Sequence, residues 1–222
     1  MTDTRKYYAQ DRRDVASRIP EPQDKILLDV GCGEGLFGSL MKSDFHAREI
    51  WGIEPVQRVA DEAEKRLDRV IVGKLSAHLG DLPDSYFDAV IFNDSLEHME
   101  DPWAILKGIT PKLSSGGVIC ASIPNVRWYK NLFNLIFRKD WEYTDQGILD
   151  KTHLRFYTMK SMERLFHESG HEILEMNGIK YAGGNFWLIP KITSLLTLMF
   201  FEDCFYKNYF IVAKPVPHME PR

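Results

Sequence analysis

The chain has 222 residues, of which 44% are hydrophobic, 27% charged and 12% aromatic. This composition is typical of a globular domain with an ordinary hydrophobic core, and it argues against disordered, collagen-like and coiled-coil architectures. The 28 basic and 32 acidic residues give a net charge of -4, and neither sign forms a long run. We therefore expect no nucleic-acid partner.

The cysteines and the N-terminus bear on the cellular compartment. Cys32, Cys120 and Cys204 are widely spaced and form no CxxC pair, so neither a disulfide framework nor a cysteine zinc site is expected. Met1 to Asp14 lacks the apolar stretch of a signal peptide, and no apolar run reaches about 18 residues. We expect a cytoplasmic protein that does not span a membrane.

Short β-branched apolar runs alternate with helix-compatible stretches from Lys25 to about Lys112. This alternation is typical of βαβ units around a parallel sheet. Strands are predicted at Ile26 to Val30, Glu49 to Glu54, Arg69 to Val72, Phe87 to Phe92 and, after a turn at Ser115 to Gly117, at Val118 to Ser122. Helices are predicted at Gly35 to Lys42, Val56 to Leu67 and from Asp101-Pro102 to about Lys112.

The regular alternation ends at Pro124. Residues 125–157 are rich in aromatic and basic residues without a clean period, which predicts an inserted cap on the substrate side. Thr158 is predicted to cap a helix that ends at Gly170, and strands follow at Glu172 to Met176 and Tyr209 to Ala213. Leu188 to Phe201 is interrupted by polar residues, so a buried helix is favoured over one in a membrane interface.

The most informative segment is DVGCGEG, from Asp29 to Gly35. Glycines in a strand-to-helix turn bring backbone N–H groups close to a ligand. The third glycine comes one position too early for a dinucleotide fingerprint, and Asp29 would repel a pyrophosphate but attract an ammonium or sulfonium group. Glu54, at the end of the second strand, can accept both hydroxyls of a ribose. The pattern indicates a nucleoside with a cationic tail, or simply a tight turn without a ligand.

Three motifs in order resemble those of the class I S-adenosylmethionine-dependent methyltransferases: DVGCGEG, GIEP and FDAVIFNDSLEHMEDP. The stretch HMEDPWAILKGITPKLSSGGVICASIPNV is similar to the small-molecule branch. GILDKTHLRFYTMKSMERLFHESGHEI is similar to a subgroup associated with cell-surface polysaccharide biosynthesis. The resemblance covers Tyr7 to Glu175. It implies one α/β domain over residues 1–222, with a Rossmann-like, doubly wound, seven-stranded and mostly parallel sheet of order 3-2-1-4-5-7-6 and an insertion after strand 5.

The resemblance also implies the residues that bind S-adenosyl-L-methionine: Asp29, Gly31, Gly33, Gly35, Glu54, Pro55, Leu75 and Asn93. Glu54 would bind the ribose, and Asn93 would face the reaction centre. The third-strand loop departs from the family, because Lys74 stands where many relatives have an aspartate for the adenine amino group. Either Asp81 or backbone groups around Leu75 would replace that aspartate.

Methyl transfer needs an incoming lone pair in line with the departing sulfur, and a hydroxyl acceptor also needs a general base. His153 is the predicted base, because an imidazole titrates near neutral pH; its alternative role is to hold the insertion in place. The predicted acceptor-binding residues are aromatic, for stacking on a sugar, or basic, for a phosphate or carboxylate. They are Tyr8, Arg127, Trp128, Arg155 and Tyr157, which could instead form a small core within the insertion.

Asp94, Glu97 and His98 form a DxxEH pattern, similar to a metal-coordinating motif in a quinone-pathway branch of the family. A hydrogen-bonded turn is the favoured interpretation, so no metal is expected. DNA methylation is disfavoured, because Asn93 to Leu96 lacks the proline-proline-aromatic pattern for a flipped base.

The favoured activity is O-methylation of a sugar or polysaccharide precursor, such as a nucleotide- or lipid-linked sugar. The alternatives are N- or O-methylation of a quinone-like or other secondary metabolite, and a non-catalytic module that binds S-adenosylmethionine without turnover.

Overall fold

The computed structural model describes residues 12–181 and 201–216. These residues contain a seven-stranded sheet in the order β3-β2-β1-β4-β5-β7-β6. Its strands are β1 (Ile26–Val30), β2 (Glu49–Glu54), β3 (Arg69–Val72), β4 (Phe87–Asn93), β5 (Leu113–Pro124), β6 (His171–Tyr181) and β7 (Tyr206–Pro215). The predicted strand order is confirmed.

The direction of the strands defines one functional edge. β3, β2, β1, β4 and β5 are parallel, so their carboxyl ends meet at the same edge of the sheet. β7 runs antiparallel to both β5 and β6. Asn208 of β7 is paired with Pro124 of β5 and with Ile179 of β6, so the start of β7 and the end of β6 lie at this edge too. We call it the carboxyl edge.

Helices cover both faces of the sheet. They are α1 (Arg13–Ala16), α2 (Leu36–Ser43), α3 (Gln57–Ala63), α4 (Leu75–His78), α5 (Pro102–Ile109), α6 (Tyr129–Phe133) and α7 (Met159–Glu168). Successive residues of β1 point to opposite faces, as expected for a strand. Leu28 packs in a core with residues of α5 and α7, whereas Leu27 packs in a second core with residues of α1 and α2.

Local signals determine where two helices begin. The Asp101 carboxylate accepts a hydrogen bond from the Ala104 N–H (2.9 Å), and Pro102 is the first residue of α5. Thr158 and Ser161 form a reciprocal capping box at the start of α7. Both starts agree with the prediction, because a cap satisfies N–H groups that a helix cannot pair internally.

The Asp101 cap gives a direct test of this account. We expect Asp101→Ala to lower the free energy of unfolding by about 1 kcal/mol, since one N–H of α5 loses its partner. Urea denaturation measures the change, with Lys160→Ala, an exposed change inside α7, as the control. Equal stability of the two variants would contradict a stabilising cap.

Several elements differ from their predicted bounds: β5, β6 and β7 are longer than predicted, and α5 ends at Ile109. Two further differences have a clear physical reason. α3 ends at Ala63 rather than Leu67, and the turn after it is held by Arg66, whose guanidinium donates to the carbonyl oxygens of Glu34 and Glu62. The predicted turn at residues 115–117 lies inside β5 as a break in register. A Cβ at Gly117 would lie 2.8 Å from the Phe87 carbonyl oxygen, so a glycine lets the two strands stay together there.

The segment predicted as an insertion, residues 125–157, lies between β5 and α7. It contains α6 and a π-helical turn at Asn134–Arg138. Its two ends meet, because the Val126 N–H donates to the Tyr157 carbonyl oxygen (2.8 Å). Tyr8 and residues 188–200 of the predicted apolar segment lie outside the described residues. Among the helices that are described, none combines the length and apolarity needed to cross a membrane.

Candidate active site

A cleft of ≈ 1190 Å³ opens at the carboxyl edge. It forms beside β1 and β4 because α2, which follows β1, packs on one face of the sheet, and α5, which follows β4, packs on the other. Such a switch point leaves a crevice in which parallel sheets bind ligands. Seven of the residues predicted to bind the cofactor line this cleft: Asp29, Gly31, Gly33, Glu54, Pro55, Leu75 and Asn93.

The glycine loop lines the floor of the cleft with backbone. Gly31, Gly33 and Gly35 have φ values of +79°, +55° and +78°, a conformation that disfavours side chains. A Cβ at Gly31 would lie 3.2 Å from the Cβ of Ser95, whereas one at Gly35 would lie 3.2 Å from the Cβ of Ala63 in α3. Gly35 is not among the described residues that line the cleft, and it allows close packing of α2 against α3.

Two buried carboxylates that are predicted to bind the cofactor, Asp29 and Glu54, line the cleft. Glu54 accepts hydrogen bonds from the N–H groups of Gly33 (3.1 Å) and Val56 (3.0 Å). Asp29 is 1% exposed, and its Oδ1 has no hydrogen-bond partner. Burial, together with the charge of Glu54, raises the pKa of Asp29 to about 7. Burying a carboxylate without a partner costs free energy. The two carboxylates therefore fit a ligand with a cationic group.

The loop after β3 contains both predicted candidates for an adenine contact, Asp81 and the backbone around Leu75. The Asp81 carboxylate pairs with His78 (2.8 Å), is 65% exposed and does not line the cleft, whereas Leu75 and Ser76 do. The Lys74 ammonium points to Glu100, with which it forms an ion pair of 2.7 Å. Of the two predicted candidates, only Leu75 therefore lies beside the cleft.

The end of β4 carries the second part of the site. Both side-chain polar atoms of Asn93 are buried without a partner, so they are available to a ligand in the cleft. The neighbouring Asp94 is held by Arg12 (2.6 Å), Ser122 (2.7 Å) and Asn208 (2.9 Å). This network, which sequence reasoning missed, ties α1 to the carboxyl edge.

His153 lies in the cleft wall and is 5% exposed. Its Nδ1 lies 3.0 Å from the carbonyl oxygen of Ile148. Because a carbonyl only accepts hydrogen bonds, Nδ1 is the donor, and in the corresponding neutral tautomer the lone pair is on Nε2. That atom lies 3.8 Å from Oε1 of Glu97.

Glu97 is 1% exposed, and neither of its carboxylate oxygens has a hydrogen-bond partner. Burial and the charge of Asp94 raise its pKa well above the usual range, which favours the neutral acid. Burial and the neighbouring His153, whose ring centroid lies 4.7 Å away, lower the pKa of His98. Possible ligand atoms of Glu97, His98 and His153 all lie within 4.8 Å of one another. The potential metal group therefore includes His153 in place of the predicted Asp94.

The two arginines predicted to bind the acceptor are engaged within the protein. Arg127 forms an ion pair with Asp203 (2.5 Å). Arg155 donates to the Glu100 carbonyl oxygen (2.5 Å), and its guanidinium lies 5.1 Å from the Trp103 ring. Neither arginine is among the described residues that line the cleft.

The two aromatic candidates of the insertion also lie away from the cleft lining that is described. Trp128 packs against Tyr129, with ring centroids 4.7 Å apart. Tyr157 is 4% exposed in the hydrophobic core, and burial raises the pKa of its hydroxyl. Trp128 therefore packs within the insertion, whereas Tyr157 joins it to the domain core.

Two lysines that the sequence analysis did not select line the cleft instead. Lys180 of β6 and Lys207 of β7 face each other between the pairs Ile179–Asn208 and Tyr181–Tyr206. Burial lowers the pKa of Lys180, whose ammonium lies 3.9 Å from Asp14. No local motif marks this pair, because only the antiparallel register brings the two residues together.

Comparison with known proteins places the chain in a family. Residues 1–176 match the family model described as a methyltransferase domain. A ubiquinone biosynthesis O-methyltransferase of Aeromonas salmonicida is 28% identical over 164 residues, which cover 71% of this chain and 67% of that protein. An uncharacterized methyltransferase of Schizosaccharomyces pombe is 28% identical over 128 residues. That match covers 53% of this chain and 44% of the relative, so the chain spans about half the length of some curated relatives.

The fold is shared with a solved structure, the SAM-dependent methyltransferase of Archaeoglobus fulgidus. The two chains superimpose with a TM-score of 0.69 and 19% identity, over 95% of this chain and 97% of the other. The chain therefore belongs to the methyltransferase domain family, and S-adenosyl-L-methionine is its cofactor.

Proposed function

We propose that the chain transfers a methyl group from S-adenosylmethionine to a hydroxyl oxygen of a small molecule, with His153 as the general base. The observation that carries this proposal is the orientation of His153 in the cleft wall: Nδ1 donates to Ile148, and Nε2 keeps its lone pair. A base with this geometry serves hydroxyl acceptors, which must lose a proton as the new bond forms.

The residues at the cofactor end fit S-adenosylmethionine, which supplies a methyl group on a positively charged sulfur. The unpaired Oδ1 of Asp29 would accept hydrogen bonds from the ammonium of the methionine part. Glu54, which already orders the glycine loop, would bind the ribose through its remaining lone pairs. Asn93 would hold the methionine end next to the acceptor. These contacts orient the reactants, which is where most of the acceleration of a direct displacement arises.

The proton of the acceptor hydroxyl would pass to Nε2 of His153. The resulting imidazolium would remain bound to Ile148 through Nδ1 and would lie 3.8 Å from the Glu97 carboxyl group. The raised pKa of Glu97 favours its neutral form. Glu97 and His153 therefore do not form an ion pair before the reaction, and Nε2 of His153 can accept the proton.

The acceptor that we propose to test first is a sugar or a sugar-containing polysaccharide precursor, free or linked to a nucleotide or a lipid. Lys180 and Lys207 support a phosphate-bearing acceptor, because both basic residues line the cleft and lie opposite each other on β6 and β7. We infer a cytoplasmic reaction, consistent with the buried free thiols of Cys32, Cys120 and Cys204.

The test is a screen for S-adenosylhomocysteine formation by the purified chain with S-adenosylmethionine and a panel of acceptors. The panel contains nucleotide sugars, free sugars, catechols and amines. Turnover with a hydroxyl-bearing sugar supports the proposal. Turnover with amines alone would overturn it, and cofactor binding without turnover of any acceptor would favour a non-catalytic binding module.

A second candidate function is metal-assisted methylation of a quinone-like phenol. Two observations favour it: the convergence of Glu97, His98 and His153 within 4.8 Å, and the 28% identity to the ubiquinone biosynthesis O-methyltransferase. A divalent cation there would polarise a phenolic oxygen and lower its pKa.

Removal and restoration of divalent cations separates the two functions. If a metal is needed, EDTA should abolish methylation of a catechol, and Mg²⁺, Mn²⁺ or Zn²⁺ should restore it. In that case Glu97→Gln should weaken the restoration. Activity that is unchanged by EDTA would exclude the metal-assisted route and leave His153 as the base.

A further inference from the structure

The insertion exposes a run of large apolar side chains. Phe133, Leu135, Ile136 and Phe137 are 50%, 46%, 61% and 72% exposed. Elsewhere in residues 12–181 and 201–216, the large apolar side chains that are exposed stand singly along the chain. Single exposed apolar residues are ordinary, but a contiguous group marks a surface that meets another apolar phase.

Helical geometry gathers three of these side chains on one side. Phe133 ends α6, and Ile136 and Phe137 follow in the π-helical turn, three and four residues later. Side chains at these spacings are neighbours on a helix surface. The rings of Phe133 and Phe137 are in contact, with centroids 5.1 Å apart. We call Phe133, Ile136 and Phe137 the apolar face.

Basic residues border this face. Lys130, Arg138 and Lys139 are exposed, and none of them forms an ion pair with another described residue. The Arg138 guanidinium lies 5.9 Å from the Phe133 ring. Two exposed acids, Asp140 and Glu142, follow in the sequence. The cations thus adjoin the apolar face directly, on a chain whose net charge is -4.

We propose that this face docks on an anionic lipid surface. Exposed aromatic and aliphatic side chains bordered by Lys and Arg are the composition that inserts into the boundary between headgroups and acyl chains. Phe133, Ile136 and Phe137 enter that boundary, and the three cations contact the negatively charged phosphates. The interaction is peripheral, since it uses one helical turn of the insertion rather than a spanning helix.

The apolar face lies in the same segment of the chain as part of the cleft lining. The same insertion supplies Gly147, Ile148 and His153 to the lining of the cleft. If the proposed function holds, docking brings the acceptor side of the cleft to the lipid surface, where a lipid-linked sugar can enter. Docking itself depends only on the apolar face and its cations.

Vesicle flotation of the full chain tests the docking without any methyl acceptor. We expect the protein to float with vesicles that contain roughly 30% phosphatidylglycerol and to remain unbound with pure phosphatidylcholine, with weaker binding at high salt. The double variant Ile136→Ser, Phe137→Ser should reduce the bound fraction by about tenfold or more, because two inserted side chains are lost. Leu174→Ser, which changes another exposed large apolar side chain, on β6, should bind like the wild type.

Three outcomes would overturn the proposal. The first is no binding of the wild-type chain to phosphatidylglycerol vesicles. The second is a lower melting temperature of the Ile136→Ser, Phe137→Ser variant than of Leu174→Ser, which would mean that the face packs within the protein. The third is a concentration-dependent dimer of the wild type that the double variant abolishes, which would identify a second copy as the partner.

Discussion

Asp29→Asn is expected to weaken binding of S-adenosylmethionine by about 10²-fold, because loss of one partner from a buried charge pair typically costs 2 kcal/mol or more. The substitution keeps the size of the side chain but removes the charge that we propose pairs with the methionine ammonium. Isothermal titration calorimetry measures the change. Asp88→Asn serves as the matched control, since Asp88 caps the N–H of Ile26 at the opposite end of the sheet.

The same residue predicts how cofactor binding depends on pH. The pKa of Asp29 is raised to about 7, so the unliganded carboxyl group is protonated below that pH. The cationic cofactor binds the ionised form, and binding must therefore release a proton at lower pH. Affinity should fall by roughly tenfold for each pH unit below about 7 and level off above it.

Calorimetry at pH 6 and pH 8 tests this dependence in the wild type and in Asp29→Asn. The wild type should bind more weakly at pH 6, whereas the variant should show little change between the two values. A wild-type affinity that is the same at both pH values would contradict the role of Asp29 as the partner of the cation.

His153→Ala should lower kcat by about 10²-fold or more while cofactor affinity stays unchanged, because a general base acts only on the acceptor proton. Cofactor affinity is measured by calorimetry and kcat by release of S-adenosylhomocysteine. His167→Ala, on the exposed side of α7, is the control for a change of histidine that does not touch the cleft.

The choice of acceptor separates catalysis by His153 from a structural role. A general base is needed most by an acceptor that holds its proton tightly, so His153→Ala should lower kcat more for a sugar hydroxyl than for a catechol. An equal loss of activity with both acceptors would indicate that the histidine only holds the insertion to Ile148. His153→Gln, which retains a hydrogen-bond donor for that carbonyl, should then restore activity.

Much of the fold follows from local sequence. The apolar run of β1, the glycines at the start of α2, Asp101 before α5 and Thr158 before α7 act over a few residues, so a linear pattern can reveal them. The same holds for Asp29 and Glu54, which lie in the last two residues of their strands and therefore reach the carboxyl edge. The strand order depended on the family resemblance, because periodicity alone gives no neighbours.

The residues predicted to bind the acceptor that the structure describes do not line the cleft as expected, because several of them bind other groups within the protein. The sequence predicted Arg127 and Arg155 as anion-binding residues. In the structure Arg127 forms an ion pair with Asp203, and Arg155 donates a hydrogen bond to the Glu100 carbonyl oxygen. Sequence position limits what a side chain can reach, but it does not reveal which of several partners is nearest in space. The bulge at Gly117 was missed for the same reason, because its cause is the carbonyl of Phe87 on another strand.

The sequence by itself determined the part of the site predicted to bind the cofactor: Asp29 and Glu54 in the last residues of two strands, the glycine loop between strand and helix, and the family to which these motifs belong. Only the tertiary structure decided which groups meet across the cleft. It brought His153 to Glu97 across a separation of 56 positions, and it set Lys180 opposite Lys207 through antiparallel register. The cofactor half is encoded in contiguous turns with local hydrogen bonds, whereas the acceptor half is assembled from elements far apart in the chain.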